Sequence, residues 1–184
     1  MKLFKKIWSI ITTLLVAVVV VLAVLLFGVR LLGLKPYSVL SGSMEPTYHT
    51  GSLIYVKKVD ASALQTGGPI TFMLDEDTVA THRIIEVIPD PEDAAVVRYR
   101  TQGDANEEAD GGTVHCNNII GKPVFTIPYL GYIANYIQHP PGTYAAIAVG
   151  AVLLILVILP DLFVKEKKSD EIEDLEKQEN TKQG

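Results

Sequence analysis

Apolar and polar positions divide this chain into stretches of three kinds. Residues 7–29 run for 23 positions without a charge. As a helix rising about 1.5 Å per residue they would span roughly 34 Å, more than the ~30 Å hydrocarbon core of a bilayer. A second apolar run covers residues 143–160, and Leu162, Phe163 and Val164 extend it past Asp161. Between the two lie short runs rich in β-branched residues, at 52–57, 69–74, 78–88, 94–101 and 119–127, set apart by Gly51, Gly67-Gly68 and Pro89-Asp90-Pro91. Val97-Arg98-Tyr99-Arg100 alternates with the period of a half-buried strand. The pattern predicts a mostly β domain of five strands flanked by two transmembrane α-helices. Its boundaries are 1–6 for an N-terminal segment, 7–32 for the first span, 33–142 for the β domain, 143–164 for the second span and 165–184 for a charged tail.

Basic residues orient these segments. Lys2, Lys5 and Lys6 precede the first run, and Lys165, Lys167 and Lys168 follow the second. The excess of lysine on cytoplasmic flanks then predicts cytoplasmic termini and an extracytoplasmic β domain. Arg30, at the outer edge of the first run, can snorkel to the headgroups. A cleavable leader would have only ~7–15 apolar residues and a small-residue site after them. Here the run is longer and Arg30-Leu31-Leu32-Gly33-Leu34-Lys35 follows, so the segment reads as a retained anchor. The β domain carries seven Lys/Arg against thirteen Asp/Glu, which argues against nucleic-acid binding. Cys116 is the only cysteine, so no intrachain disulfide can form. Tyr129, Tyr132, Tyr136 and Tyr144 gather before the second run. They fit a membrane interface or packing on the domain, and the two readings stand level. The Lys/Glu/Asp-rich tail reads as a solvated helix that frays.

Candidate chemistry begins at Ser41-Gly42-Ser43-Met44-Glu45-Pro46-Thr47, shortly beyond the first apolar run. A Ser-Gly-Ser turn can hold one hydroxyl as a nucleophile, with the other hydroxyl and nearby N–H groups beside a developing oxyanion. A serine needs a base. Of His49, His82, His115 and His139, the best placed is His82, in Thr81-His82-Arg83-Ile84 on a predicted strand. Imidazole ordinarily titrates near ~6.5, which suits a base at neutral pH. A third group must hold the imidazole tautomer, and the loop at 103–110 offers Asp104 and Asp110, between which spacing does not choose. The blander readings are a strand histidine bonded to backbone and a polar turn. The same loop lacks the spacing of a calcium loop, His115-Cys116 lacks further zinc ligands, and no glycine-rich phosphate loop is present. No metal or cofactor is expected.

The order Ser-Gly-Ser-Met-x-Pro-Thr after an apolar helix, then Thr-His-Arg-Ile, then Gly-Asp-x-Asn with a further Asp, resembles type I signal peptidase. Ile120-Gly121-Lys122 and Ile127-Pro128-Tyr129-Leu130-Gly131-Tyr132 are similar to that family's closing motif, so the likeness runs from about residue 37 to 132. Histidine stands where the common bacterial enzymes have a lysine base, which is the pattern of the endoplasmic-reticulum-type branch. A second span after the domain resembles its prokaryotic members, Gram-positive or archaeal. The resemblance implies a signal-peptidase-like β fold, with Ser43 as nucleophile and His82 as general base. It implies Asp110 orienting His82 and Asp104 bracing the loop, although spacing alone would support the reverse. The Ser43 N–H and the Ser41 hydroxyl would form the oxyanion hole; Lys57, Lys58 and Lys122 do not fall where the family places its base. The expected partners are signal-peptide-bearing preproteins and the lipid bilayer. The alternative from another class is a non-catalytic, membrane-tethered β domain that binds an exported partner.

Overall fold

The computed structural model describes residues 2–157 apart from 77, 91, 92, 94 and 95. The chain divides into two compact units, residues 23–139 and the two terminal segments 1–22 and 140–184. Helix α1, Lys2–Leu26, carries the first apolar run. Ile11, Leu14 and Val18 on it are all exposed, which suits a helix solvated by lipid rather than by a protein core. Its stretch Lys6–Leu26, 21 residues, is long and apolar enough to cross a membrane.

The helix stops six residues short of the expected residue 32. A 3₁₀ turn, Gly28–Leu32, follows, and Gly33 closes it at φ 74° with its N–H on the Arg30 carbonyl. Glycine tolerates that left-handed conformation, and Gly28 weakens the helix just before it. The second apolar run is helical over Gly142–Val157, here α3. At about 1.5 Å per residue its described part reaches roughly 24 Å, short of a full crossing. Residues 158–164 of the expected span, and the tail, lie outside the described residues.

Residues 23–139 hold seven strands: β1 Leu34–Ser38, β2 Leu53–Lys57, β3 Pro69–Met73, β4 Val79–Pro89, β5 Val97–Gln102, β6 Thr113–His115 and β7 Ile119–Ile127. The five expected strands are present, and β1 and β6 add to them. The sheet order is β1-β2-β7-β3-β4-β5-β6, and every neighbouring pair is antiparallel. Four antiparallel steps separate β1 from β4, so these two strands run parallel. Among the described residues β1 pairs on one side only, with β2. Residues 79–82 of β4 pair with β3, while the pairing to β5 begins at Arg83. Each strand therefore keeps an open edge.

Burial explains the order. Leu53, Ile54, Tyr55 and Val56 of β2 are all buried, as an interior strand covered on both faces requires. Ile70, Phe72, Ile84, Tyr99 and Val114 form a cluster on β3 to β6, each side chain contributing about 1.5–3 kcal/mol. Helix α2, Leu130–Gln138, was not foreseen as a helix; it buries Leu130, Gly131 and Ala134. A Cβ at Gly131 would lie 2.2 Å from the Ser52 carbonyl oxygen, so only glycine lets this helix approach β2 so closely. Tyr129, Tyr132 and Tyr136 are exposed on and beside α2, and so is Tyr144 on α3. The Tyr132 ring nevertheless covers Gly51, where a Cβ would meet it at 1.9 Å.

Candidate active site

Residues 39–52 form a loop between β1 and β2 whose neck is closed by two backbone bonds, Val39 N–H to Ser52 O at 2.9 Å and Gly51 N–H to Val39 O at 2.8 Å. Met44 is buried and anchors the loop next to Ser43. Inside the loop Glu45 accepts from the Thr50 N–H at 3.0 Å and pairs with His49. Those hydrogen bonds hold the Glu45 carboxyl below the ordinary carboxylate range. Ser43 is thus fixed from both sides.

His82 lies on the half of β4 that has an open edge, opposite Ile70. Its ring stands edge-on to Phe72, 6.2 Å between centroids. Its Nε2 is 3.1 Å from Ser43 Oγ, and its Nδ1 is 2.6 Å from Asp110 Oδ2. A carboxylate only accepts, so Nδ1 carries the proton and the Nε2 lone pair faces the serine hydroxyl. The fully buried Thr101 donates its hydroxyl to the same Asp110 oxygen at 2.6 Å, and the Asp110 N–H bonds Thr101 O at 2.8 Å. Ser41 Oγ sits 3.3 Å from Ser43 Oγ.

The two aspartates have different partners. Asp110 touches His82, whereas Asp104 receives Arg83 Nε at 2.7 Å and Nη2 at 2.6 Å. Thr47 donates to Asp104 as well, and Arg83 Nη1 reaches Gly67 O at 2.7 Å. Its hydrogen bonds with Arg83, and then with Thr47, keep the Asp104 carboxyl low, and Asp104 in turn raises Arg83. Burial pushes up the Tyr48 phenol beside this pair. The backbone joins in: Ala105 N–H bonds Ser43 O at 2.9 Å, and a Cβ at Gly103 would meet that carbonyl at 2.5 Å. The sequence reading assigned no role to Arg83, Thr101, Thr47 or Glu45. Arg83, immediately after the candidate histidine, and Thr47, in the serine motif, offered a signal, whereas Thr101 lay in neither motif.

The other histidines lie elsewhere. His49 is exposed on Glu45, His115 caps the turn Cys116–Asn118, and His139 Nδ1 bonds Asn135 O at 2.8 Å after α2.

Ser43 and His82 meet although three strands separate β1 from β4 in the sheet. Flat, those strands would stand about 19 Å apart, so the sheet curls. Between its open edges runs a groove of about 990 Å³, lined along one wall by residues of β1 and its extension to Ser43, and along the other by Thr78 to His82. A nucleophile, a base and an acidic partner at the end of a groove can carry out acyl transfer.

A model of the family described as signal peptidase, peptidase S26, matches residues 10–101. That stretch includes Ser43 and His82 and ends before Asp104 and Asp110. The chain is similar to signal peptidase I W of Bacillus subtilis, 37% identical over 123 residues, 62% of this chain and 63% of that one. It is also similar to the signal peptidase complex catalytic subunit SEC11C of Homo sapiens, 30% identical over 127 residues, 64% of this chain and 65% of the relative. The chain thus spans just under two thirds of the length of these relatives. With the family model covering half of its residues, the chain belongs to the signal peptidase family, peptidase S26.

Proposed function

We propose that this protein is a membrane-bound serine endopeptidase that removes N-terminal signal peptides from exported preproteins. The observation that carries the reading is the hydrogen-bonded run Ser43–His82–Asp110 at the end of the groove. A substrate chain enters extended and adds its backbone to the open edges of β1 and β4, as strand-adding ligands do. Small side chains before the scissile bond lie against the groove next to Ser43. His82 Nε2 takes the Ser43 proton as Oγ attacks the carbonyl carbon, and the charge on the oxygen falls to the Ser43 N–H and the Ser41 hydroxyl. The tetrahedral intermediate collapses, His82 protonates the leaving amine, and the signal peptide stays esterified to Ser43. Water, deprotonated by His82, then hydrolyses the ester. Asp110 balances the imidazolium in both halves, and Asp104 with Arg83 braces the loop that carries Asp110.

In this reading α1 is a retained anchor, residues 33–142 are extracytoplasmic, and a second crossing over 143–164 returns the chain to the cytoplasm. The lysines flanking both runs support that orientation. The relative named as a subunit of a complex raises the question of partner subunits here. No observation favours the non-catalytic alternative.

The test is cleavage of a preprotein with an Ala-x-Ala site by the detergent-solubilised protein and in membranes, followed by N-terminal sequencing of the product. Wild type should cut at that site, while Ser43→Ala and His82→Ala should fold, insert and fail to cut. Undiminished cleavage by Ser43→Ala would refute the assignment.

A further inference from the structure

The groove has a basic end that the cleavage chemistry does not use. Arg30 and Lys35 both line it, at the start of the β1 wall. They are exposed, and the Arg30 charge reaches Tyr37 farther along the same wall. On the facing wall the hairpin between β3 and β4 contributes Leu74, Thr78 and Val79. Its Asp75 is turned back onto the Thr78 N–H at 2.7 Å. No Asp or Glu stands among the described residues of the lining. A lining with two cations and, among the described residues, no carboxylate is unexpected in a domain with seven Lys/Arg and thirteen Asp/Glu.

Direction and distance follow from the sheet. β1 and β4 run parallel, and Ser43 and His82 lie toward the later end of both groove walls. The start of β1 follows residues 23–26, the last turn of α1, and the 3₁₀ turn Gly28–Leu32 within the same unit, so that end of the groove lies where the chain leaves α1. A substrate whose apolar segment is still in the membrane reaches the groove from there, running parallel to β1 with its scissile bond at Ser43. At about 3.3 Å per extended residue, Lys35 stands beside the sixth to eighth residue before that bond. A signal peptide's apolar segment lies on that side of its cleavage site. If helical, it ends in carbonyls without intrahelical partners and a partial negative charge.

We infer that Arg30 and Lys35 form a subsite for an electronegative group six to eight residues before the scissile bond. The group is the carbonyl end of the substrate's apolar helix or a carboxylate side chain, and the subsite rejects lysine and arginine there. The inference rests on the proposed peptidase reading.

Three preproteins that differ only at the seventh residue before the site, carrying Glu, Gln or Lys, test it with the purified full chain in a non-ionic detergent. Wild type should show kcat/KM falling from Glu to Lys by about five- to tenfold, the size of a few-ångström charge interaction at a wet surface, and ~0.5 M salt should compress the ratio. The double variant Arg30→Glu/Lys35→Glu should invert the order, with the Gln substrate reporting each variant's basal rate. Equal rates on all three substrates, or an order unchanged in the double variant, would overturn the subsite while leaving the peptidase intact. Failure of wild type to cut any of them would overturn the peptidase reading and the subsite with it.

Discussion

Replacing Asp110 with Asn probes the electrostatic share of the proposed chemistry with little change of shape. The His82 Nδ1–H and the Thr101 hydroxyl converge on one oxygen, Asp110 Oδ2, each at 2.6 Å. An asparagine meeting two donors turns its carbonyl oxygen to that position, so the imidazole tautomer is retained and the loss is that of the charge. With charge centres roughly 4 Å apart and an effective dielectric constant of about 20, a carboxylate stabilises the imidazolium by about 4 kcal/mol, or roughly 10³ in rate. The side chains of His82 and Asp110 are 15% and 26% exposed, and solvent screening lowers this toward 10². The expected result is a 10²- to 10³-fold fall in kcat with KM and thermal stability nearly unchanged. Asp110→Ala, which frees the tautomer too, should fall further. Steady-state cleavage of a quenched peptide spanning an Ala-x-Ala site, beside a melting curve for each variant, gives the numbers. An Asp110→Asn enzyme within tenfold of wild type would refute the argument, since no ionic partner would then be acting on His82.

Asp104→Asn should act on the fold: breaking its bidentate pair with the one-third-exposed Arg83 costs about 1–3 kcal/mol after screening, read as a lower melting temperature. Because the Asp104 carboxyl is held below its ordinary 3.8, its contribution is complete above that pH and is lost as pH falls through the depressed value. The variant should therefore melt with a shallower pH dependence below about pH 4, and an unchanged slope would contradict the pairing. Ser41→Ala should lower kcat by about 10- to 10³-fold with KM little changed; an equal rise in KM would move Ser41 from oxyanion stabilisation to substrate binding. Gly103→Ala forces a Cβ against the Ser43 carbonyl, so it should cost about 1–3 kcal/mol and most of the activity, visible in parallel melting and cleavage assays.

Much of this was legible in the sequence because it depends on local chemistry. The apolar run of α1, the five longer strands, the Gly-flanked serine and the strand histidine each carry their signal within a few residues. β1 was not legible: it contains Pro36 and begins just after the 3₁₀ turn that follows the apolar helix, and proline is tolerated there because this is an edge strand. β6 is three residues long and exists through its pairing with β5. Nor could spacing choose between Asp104 and Asp110. That division comes from Thr101 and Arg83, contacts that span nine and twenty-one residues of chain. The likeness to a family supplied the preference for Asp110 that the residues alone did not.

The groove gives the Asp104 network a second consequence. One strand fits between β1 and β4 only if their edges stand about two strand spacings apart, near 9.6 Å. Among the described residues no ladder hydrogen bond sets that gap, since the sheet connects these strands through β2, β7 and β3. The ties between them lie at the Ser43–His82 end: Ser43 to His82, Thr47 to Asp104 to Arg83, and Ser43 O to Ala105 N–H. Asp104 thus holds the serine loop and β4 at a fixed separation, while Asp110 bonds His82 and Thr101 rather than the serine loop. It follows that Asp104→Asn should raise KM more than Asp110→Asn does, because a loosened gap offers the incoming strand two edges that no longer match. Equal KM values in the two variants would mean that curl of the sheet alone sets the gap.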